Sequence, residues 1–414
     1  MNRTLRLLAL ALIVAAGVLS GALRAAPQRP SSPIVVLVSF DGWRWDYTDR
    51  ANAPNLRALA ARGVRAEGLI PSFPSKTFPN HYTIVTGLYP EHHGIISNSM
   101  TDPAIGERFS MSAPTAKDSR WWGGEPLWVT AIRQGRRASS MFWPGAEVEI
   151  HGVRPTAWEP YDDHFPNGDR VKRVLGWLAL PERERPSFVT LYFSDVDTIG
   201  HRFGPDRPET LEAAAGLDRL LGDLLAGIET LGLASRVNIV MVSDHGMSQQ
   251  SDTRKIYLED YIDMTTVDVV DWSPVLQIAP KTGSVDALYK ALRGKHPALE
   301  IYRREEIPAW LHYADSPRIQ PIVGIAADGW GITTRERFAK ANPEWRAIGG
   351  EHGYPGRYRS MQGLFVAAGP LVREGLTVPA FENIHIYDLM CRMLGLTPAK
   401  NDGDPSVAAR FIRD

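Results

Sequence analysis

The chain has 414 residues, 44% of them hydrophobic and 22% charged, with a formal net charge of -1. This is an ordinary globular composition, long enough for one large domain or two smaller ones. The near-neutral charge argues against a nucleic-acid or anionic-membrane binder, so any phosphate must be met by a local site.

At the start, Arg3 and Arg6 precede an apolar run at 7–19, and small residues follow at Ser20-Gly21-Ala22 and Ala25-Ala26. Residues 1–26 read as a secretory signal peptide, the run being short for a bilayer span. No later apolar run is long enough to span. The only cysteine, Cys391, has no partner for a disulfide, and no cysteine at the signal's end offers a lipoprotein anchor. An exported, disulfide-free chain suits a bacterial periplasm.

Residues 34–40 form a continuous apolar run rich in β-branched side chains, predicting a buried strand of a parallel sheet. It ends at Asp41-Gly42. A helix is expected at 53–60 with Gly63 as its stop. Pro71, Pro74 and Pro79 exclude a regular helix across the first half of 71–87, so a loop holds Thr77 until a helix begins near Asn80. A helix is expected at 126–133, a strand at 138–143, an aromatic and acidic loop at 155–169, and a helix at 170–178. Residues 187–193 and 237–243 are further strands, separated by a packing helix at 208–231. Between 256 and 346 the pattern changes to small mixed elements, predicting an inserted cap subdomain within a domain spanning 30–414. A strand at 362–368 and a helix at 384–394 close the chain. Alternating strands and helices predict an α/β sandwich around a mostly parallel sheet.

In open α/β sheets ligands bind at the carboxyl ends of strands. Asp41, Asp197 and Asp244 each follow a predicted strand within a few residues. Asp197 and His201 are spaced i, i+4. His245 is adjacent to Asp244, and His352 lies between Gly350 and Gly353. Carboxylates and imidazoles without thiolates favour Zn²⁺, with Mn²⁺ or Fe²⁺ as alternatives. Six such ligands are too many for one tetrahedral zinc and suit two, an arrangement that clamps the attacking and leaving oxygens of an in-line displacement. Thr77, a hydroxyl just ahead of a helix start, fits as the nucleophile.

These residues carry a resemblance. Phe40-Asp41-Gly42, Lys76-Thr77-Phe78-Pro79-Asn80-His81, residues 94–98, Asp197-x-x-Gly200-His201-x-x-Gly204-Pro205, Asp244-His245-Gly246-Met247 and His352-Gly353 resemble the nucleotide pyrophosphatase/phosphodiesterase family of the alkaline phosphatase superfamily. The resemblance implies an alkaline-phosphatase-like fold. It implies one zinc on Asp197, His201 and His352, and a second on Asp41, Asp244 and His245 with Thr77 bound to it. It implies Asn98 as a donor to a phosphate oxygen, and Tyr161 and Tyr192 completing a nucleobase slot with Phe78. His81, His92 and His93 read as structural or supporting residues. The sequence lacks the Cys/Ser-x-Pro-x-Arg signature of sulfatases. Where threonine-type monoesterases carry a Lys-x-Arg pair it has Trp143-Pro144-Gly145, which favours diesters. The expected function is hydrolysis of nucleotide phosphodiester or pyrophosphate bonds, releasing nucleoside 5′-monophosphates. A phospholipase-C-like or choline-phosphodiester hydrolase on the same core, and a degenerate binding protein, are the alternatives.

Overall fold

The apolar run at 34–40 becomes the central strand of the computed structural model, every residue of it buried. The structure describes residues 32–343 and 349–413; the expected signal segment at 1–26 lies outside them. The strands of the two larger sheets are, in chain order, β1 (Ile34–Phe40), β2 (Val64–Ala66), β3 (Ala138–Met141), β4 (Ala157–Glu159), β5 (Phe188–Phe193), β6 (Val237–Val242), β7 (Val267–Asp271), β8 (Val275–Pro280), β9 (Leu299–Arg303), β10 (Ile322–Ala326), β11 (Phe365–Ala368) and β12 (Leu376–Val378). Eight of these form one sheet in the order β12-β2-β11-β6-β1-β5-β3-β4. All its pairings are parallel except those of β11 with β6 and β2. The mostly parallel α/β sheet is as expected from the sequence. Its central strands are buried on both faces because two groups of helices cover it. Helices Pro54–Ala61, Asn167–Leu178 and Pro208–Thr230 pack together, while Thr77–Thr86 packs against the helix Ile386–Leu394.

Strands β7 to β10 form a separate antiparallel sheet in the order β7-β8-β10-β9. The helix Val285–Leu292 packs on it, and Leu276, Ile278, Leu288, Leu292, Ile301 and Ile322 belong to a second buried cluster. No described helix is long and apolar enough to cross a membrane.

Three local expectations are corrected. The helix after the proline-rich loop starts at Thr77 itself, not near Asn80. Pro79 then stands in the first turn, where no N–H has an intrahelical partner to lose. Within the expected loop at 155–169, Ala157–Glu159 adds strand β4 at the sheet edge, beside β3, and the following helix begins at Asn167. An edge strand three residues long carries too little alternation to be read as one.

Candidate active site

Strands β5, β1 and β6 are neighbours with Phe40 opposite Phe193 and Ser39 opposite Val242. Their carboxyl ends are therefore level, and Asp41, Asp197 and Asp244 emerge side by side. Close approach is built into the backbone. Gly42 has φ +69°, and a Cβ there would lie 2.8 Å from the Asp197 Cα. Asp197 sits in the first turn of the helix Asp195–Phe203, and His201 follows one turn later on the same face.

Hydrogen bonds fix the histidine tautomers. His201 Nδ1 lies 2.9 Å from the Gly350 carbonyl, and His352 Nδ1 lies 2.9 Å from the Ser75 carbonyl. A carbonyl only accepts, so each Nδ1 carries the proton and each Nε2 carries a lone pair. Yet the two Nε2 atoms face each other at 3.1 Å. Asp197 Oδ1 completes the triangle, 3.4 Å from His201 Nε2 and 3.6 Å from His352 Nε2. Three electron-rich atoms aimed at one point repel one another unless a cation lies among them. Tetrahedral zinc ligands are separated by about 3.3 Å, as bond lengths near 2.0–2.1 Å require.

The second set repeats the pattern. His245 Nδ1 lies 2.9 Å from the Gly246 carbonyl, which turns Nε2 toward the cluster. That atom faces Asp244 Oδ2 at 2.9 Å and Asp41 Oδ1 at 3.5 Å. Asp41 Oδ1, Asp197 Oδ1, Asp244 Oδ2 and His245 Nε2 are buried with no hydrogen-bond partner. Buried polar atoms are rarely left so, and four converging in one place fit metal binding. Burial, with Asp244 and Asp197 beside it, pushes the Asp41 carboxyl well above the usual carboxylate range. Burial, with His245 and His201 beside it, holds His352 well below the usual imidazole range. A bound cation would reverse both costs. The two sets adjoin, for the His245 and His352 rings stack with centroids 3.5 Å apart, and Asp197 also groups with His245 and His352.

Thr77 opens its helix at the edge of this cluster, after Lys76 in extended conformation (φ −115°, ψ 158°). Asn98 Oδ1 accepts the Phe78 N–H at 3.0 Å, which leaves the Asn98 amide N–H₂ as its free end. Phe78 is half-buried and packs edge-on against Phe109 at 6.0 Å. Tyr161 is 51% exposed and lies 6.1 Å from Tyr192. Tyr192 is only 8% exposed, and its hydroxyl donates to Asp41 Oδ2 at 2.7 Å. It therefore orients a candidate ligand, leaving Asp41 Oδ1 for the cluster. His81 lies beside the second set. Its Nδ1 is 2.9 Å from the Thr77 carbonyl and 3.4 Å from Asp244 Oδ2. Its Nε2 accepts from Ser39 Oγ at 2.8 Å, so both nitrogens are used. His93 is buried against Thr83 Oγ1, and His92 pairs with Asp402 at the surface.

A family model described as type I phosphodiesterase / nucleotide pyrophosphatase matches residues 35–355, an interval holding Thr77 and all six Asp and His candidates. The chain belongs to that family. It is 39% identical over 395 residues to venom phosphodiesterase CdcPDE of Crotalus durissus collilineatus, covering 93% of this chain and 47% of the relative. It is 36% identical over 376 residues to ectonucleotide pyrophosphatase/phosphodiesterase family member 5 of Homo sapiens, covering 91% of this chain and 77% of the relative. Among solved structures, the murine member 5, as an inactive threonine-to-alanine variant in complex with AMP, matches with a TM-score of 0.87 at 36% identity. That match covers 92% of this chain and 100% of the other. The chain spans about half the length of the venom phosphodiesterases it matches.

Two features of this phosphodiesterase-family site were missed in the sequence. Glu351 joins His201 and His352 in a third grouping of possible ligands. Its place beside His352 was the available signal. Asp271, on β7, accepts from Lys76 Nζ at 2.6 Å and from Ser97 Oγ through the same oxygen. A contact across 195 positions leaves no sequence signal.

Proposed function

We propose that the chain hydrolyses phosphodiester and pyrophosphate bonds of nucleotides, with Thr77 as nucleophile and a nucleoside 5′-monophosphate as product. The observation that carries this reading is the set of His Nε2 atoms and orphaned carboxylate oxygens converging on one place, next to the loop that leads into the helix opened by Thr77. Two Zn²⁺ ions fit these donors. Asp197, His201 and His352 would hold one; Asp41, Asp244 and His245 would hold the other, next to Thr77. Bound there, zinc would supply Lewis-acid charge and a lowered pKa for the threonine hydroxyl.

The chain's own residues do the rest. Thr77 Oγ loses its proton as it attacks phosphorus, the bond from phosphorus to the outgoing oxygen breaks and the leaving group departs with that electron pair, and water then hydrolyses the threonine ester to give the monophosphate. The Asn98 N–H₂ donates to a non-bridging oxygen, where charge builds in the transition state. Phe78 offers a ring face to a nucleobase, with Tyr161 as a second wall. By the resemblance, Trp143 replaces the cation of related monoesterases, and its indole N–H donates to the His81 carbonyl at 3.0 Å. A second negative charge on phosphate would therefore meet no added cation there. The AMP complex of the murine relative and the venom enzymes' names support the nucleotide reading. Export through a signal at 1–26, into a periplasm or the medium, is part of the same proposal; its support is that relatives are named as venom and ecto-enzymes.

The test is elemental analysis of the purified chain together with a substrate panel: a nucleoside-monophosphate nitrophenyl diester, nitrophenyl phosphate and a choline diester. Two zinc ions per chain and preference for the nucleotide diester are expected. A preferred choline diester would move the chain to the alternative hydrolase class, and a metal-free inert protein would make it a binding protein.

A further inference from the structure

Arg170 lies in the first turn of the helix Asn167–Leu178 and is 2% exposed, yet no carboxylate pairs with it among the described residues. Burying a cation without a counter-charge costs stability, and an apolar side chain of similar length would pack as well. What the guanidinium adds is direction. Its Nε donates to the Phe165 carbonyl at 3.0 Å and its Nη1 to the Tyr192 carbonyl at 3.1 Å. Phe165 belongs to the loop that carries Tyr161, and Tyr192 stands near the end of β5. One planar fork therefore pins the loop to the strand.

The same guanidinium lies over the Phe142 ring, 4.9 Å from its centroid. Phe142 follows β3, is buried, and has φ +58°. A side chain on such a backbone persists only where its surroundings hold it. Here the surroundings are aromatic. Phe142 meets Tyr161 edge-on with centroids 5.1 Å apart, and Phe165 at 5.8 Å. Tyr161 in turn stands 6.1 Å from Tyr192. The contacts thus close a ring: Arg170 to Phe142, Phe142 to Tyr161, Tyr161 to Tyr192, and the Tyr192 carbonyl back to Arg170.

Tyr161 is 51% exposed, so burial does little to fix it. On its outer side its N–H donates to Glu147 Oε1 at 2.8 Å. On its inner side it rests on the Phe142 ring that Arg170 backs. Asn167 adds a second tie at the end of the same loop. Its amide donates to both Asp195 oxygens, at 2.8 and 3.0 Å, in the first turn of the helix that carries Asp197.

We propose that Arg170 is a positioning residue for substrate choice: by holding the Phe165 and Tyr192 carbonyls and backing Phe142, it fixes where Tyr161 stands and makes the chain favour diesters that carry a nucleoside over diesters that carry none. The proposal rests on the reading of Tyr161 as one wall of a nucleobase slot. Arg170 is too deeply buried to touch substrate, and it acts on that wall.

The test uses the full zinc-loaded chain with Arg170→Met, Arg170→Lys and Phe142→Leu. For each, kcat/KM is measured for a nucleoside-monophosphate nitrophenyl diester and for methyl nitrophenyl phosphate, a diester without a base. Binding of AMP and of inorganic phosphate is measured by calorimetry. The ratio of the nucleotide to the methyl value should fall at least tenfold in Arg170→Met, as should the affinity for AMP relative to phosphate. Arg170→Lys, which keeps the charge but loses the planar fork, should recover part of the ratio, and Phe142→Leu should lower it. General damage to the fold would lower both substrates together and leave the ratio intact. If Arg170→Met does not fold, Arg170→Lys and Phe142→Leu decide by the same ratio. A wild-type ratio and wild-type AMP affinity in the folded variants refute the role of Arg170 while the hydrolase reading stands. A wild-type chain with no preference for the nucleotide diester refutes the slot, and Arg170 with it. If the wild-type chain cleaves neither substrate, the hydrolase reading fails, and the AMP affinities alone decide whether Arg170 shapes the slot.

Discussion

Four imidazoles in this site use one device: each gives its Nδ1–H to a backbone carbonyl, of Gly350, Ser75, Gly246 or Thr77. The carbonyl sets both the ring's tautomer and its direction, so that Nε2 is free to coordinate or, in His81, to accept from Ser39. Metal removal should therefore abolish activity without unfolding the chain, and added Zn²⁺ should restore it; circular dichroism and activity after chelator treatment check this. His352→Ala removes a nitrogen from one trio while Asp41, Asp244 and His245 remain, so the purified variant should hold one zinc rather than two by elemental analysis. Thr77→Ala removes a hydroxyl and one methyl group at the helix start. It should keep both metals and lose diesterase activity by several orders of magnitude, as loss of a covalent nucleophile does. Near-native turnover in a zinc-replete Thr77→Ala protein would end the nucleophile assignment. The convergence of the six Asp and His candidates was legible in the sequence because each follows a strand or stands in a short motif. The role of Tyr192 was not. A tyrosine alternating along a strand looks the same whether its ring lines a pocket or its hydroxyl holds a ligand, and only the 2.7 Å contact with Asp41 separates the two.

At the level of elements, the contact that ties the two sheets at the site is the Lys76–Asp271 pair. Its side chains are 7% and 13% exposed, and its partners lie beside the nucleophile and on β7. Removing one member leaves the other's charge buried without compensation. Asp271→Ala should destabilise the chain by about 3–5 kcal/mol, the usual cost of breaking a buried pair. Denaturant unfolding measures it, and a loss below about 1 kcal/mol, the scale of an exposed pair, would show that the pair is not structural. The strands of the main sheet were readable because burial on both faces makes them continuous apolar runs, as at 34–40 and 188–193. The start of the nucleophile helix was placed three residues late. Counting prolines treats each as a breaker, whereas Pro79 occupies a turn whose N–H groups are unpaired in any helix. Packing of β7 beside the nucleophile loop depends on contacts distant in sequence, which no local pattern encodes.

Across the whole molecule, substrate choice depends on which charges the fold brings to the cluster and which it leaves out. A phosphate monoester carries two negative charges. Beside the metal candidates, the Asn98 amide is the neutral donor in place, Lys76 is committed to Asp271, and Trp143 packs edge-on to His81 with ring centroids 4.9 Å apart. A diester carries one charge and has a second arm that can reach Phe78. Binding energy from that arm contributes to rate when it is used in the transition state. A nucleoside-monophosphate nitrophenyl diester should therefore be cleaved with far higher kcat/KM than nitrophenyl phosphate, and the product carrying the nucleoside should be its 5′-monophosphate. Phe78→Ala should narrow that preference by roughly 1–3 kcal/mol, the scale of one base–aromatic stack. The half-exposed ring can be removed without opening the core, so the thermal midpoint should change little. If the monoester is the better substrate, both the diester assignment and the stacking role of Phe78 are wrong. If the diester is preferred but Phe78→Ala leaves the ratio unchanged, the base is held elsewhere, and Tyr161, the exposed aromatic beside Tyr192, becomes the residue to replace next.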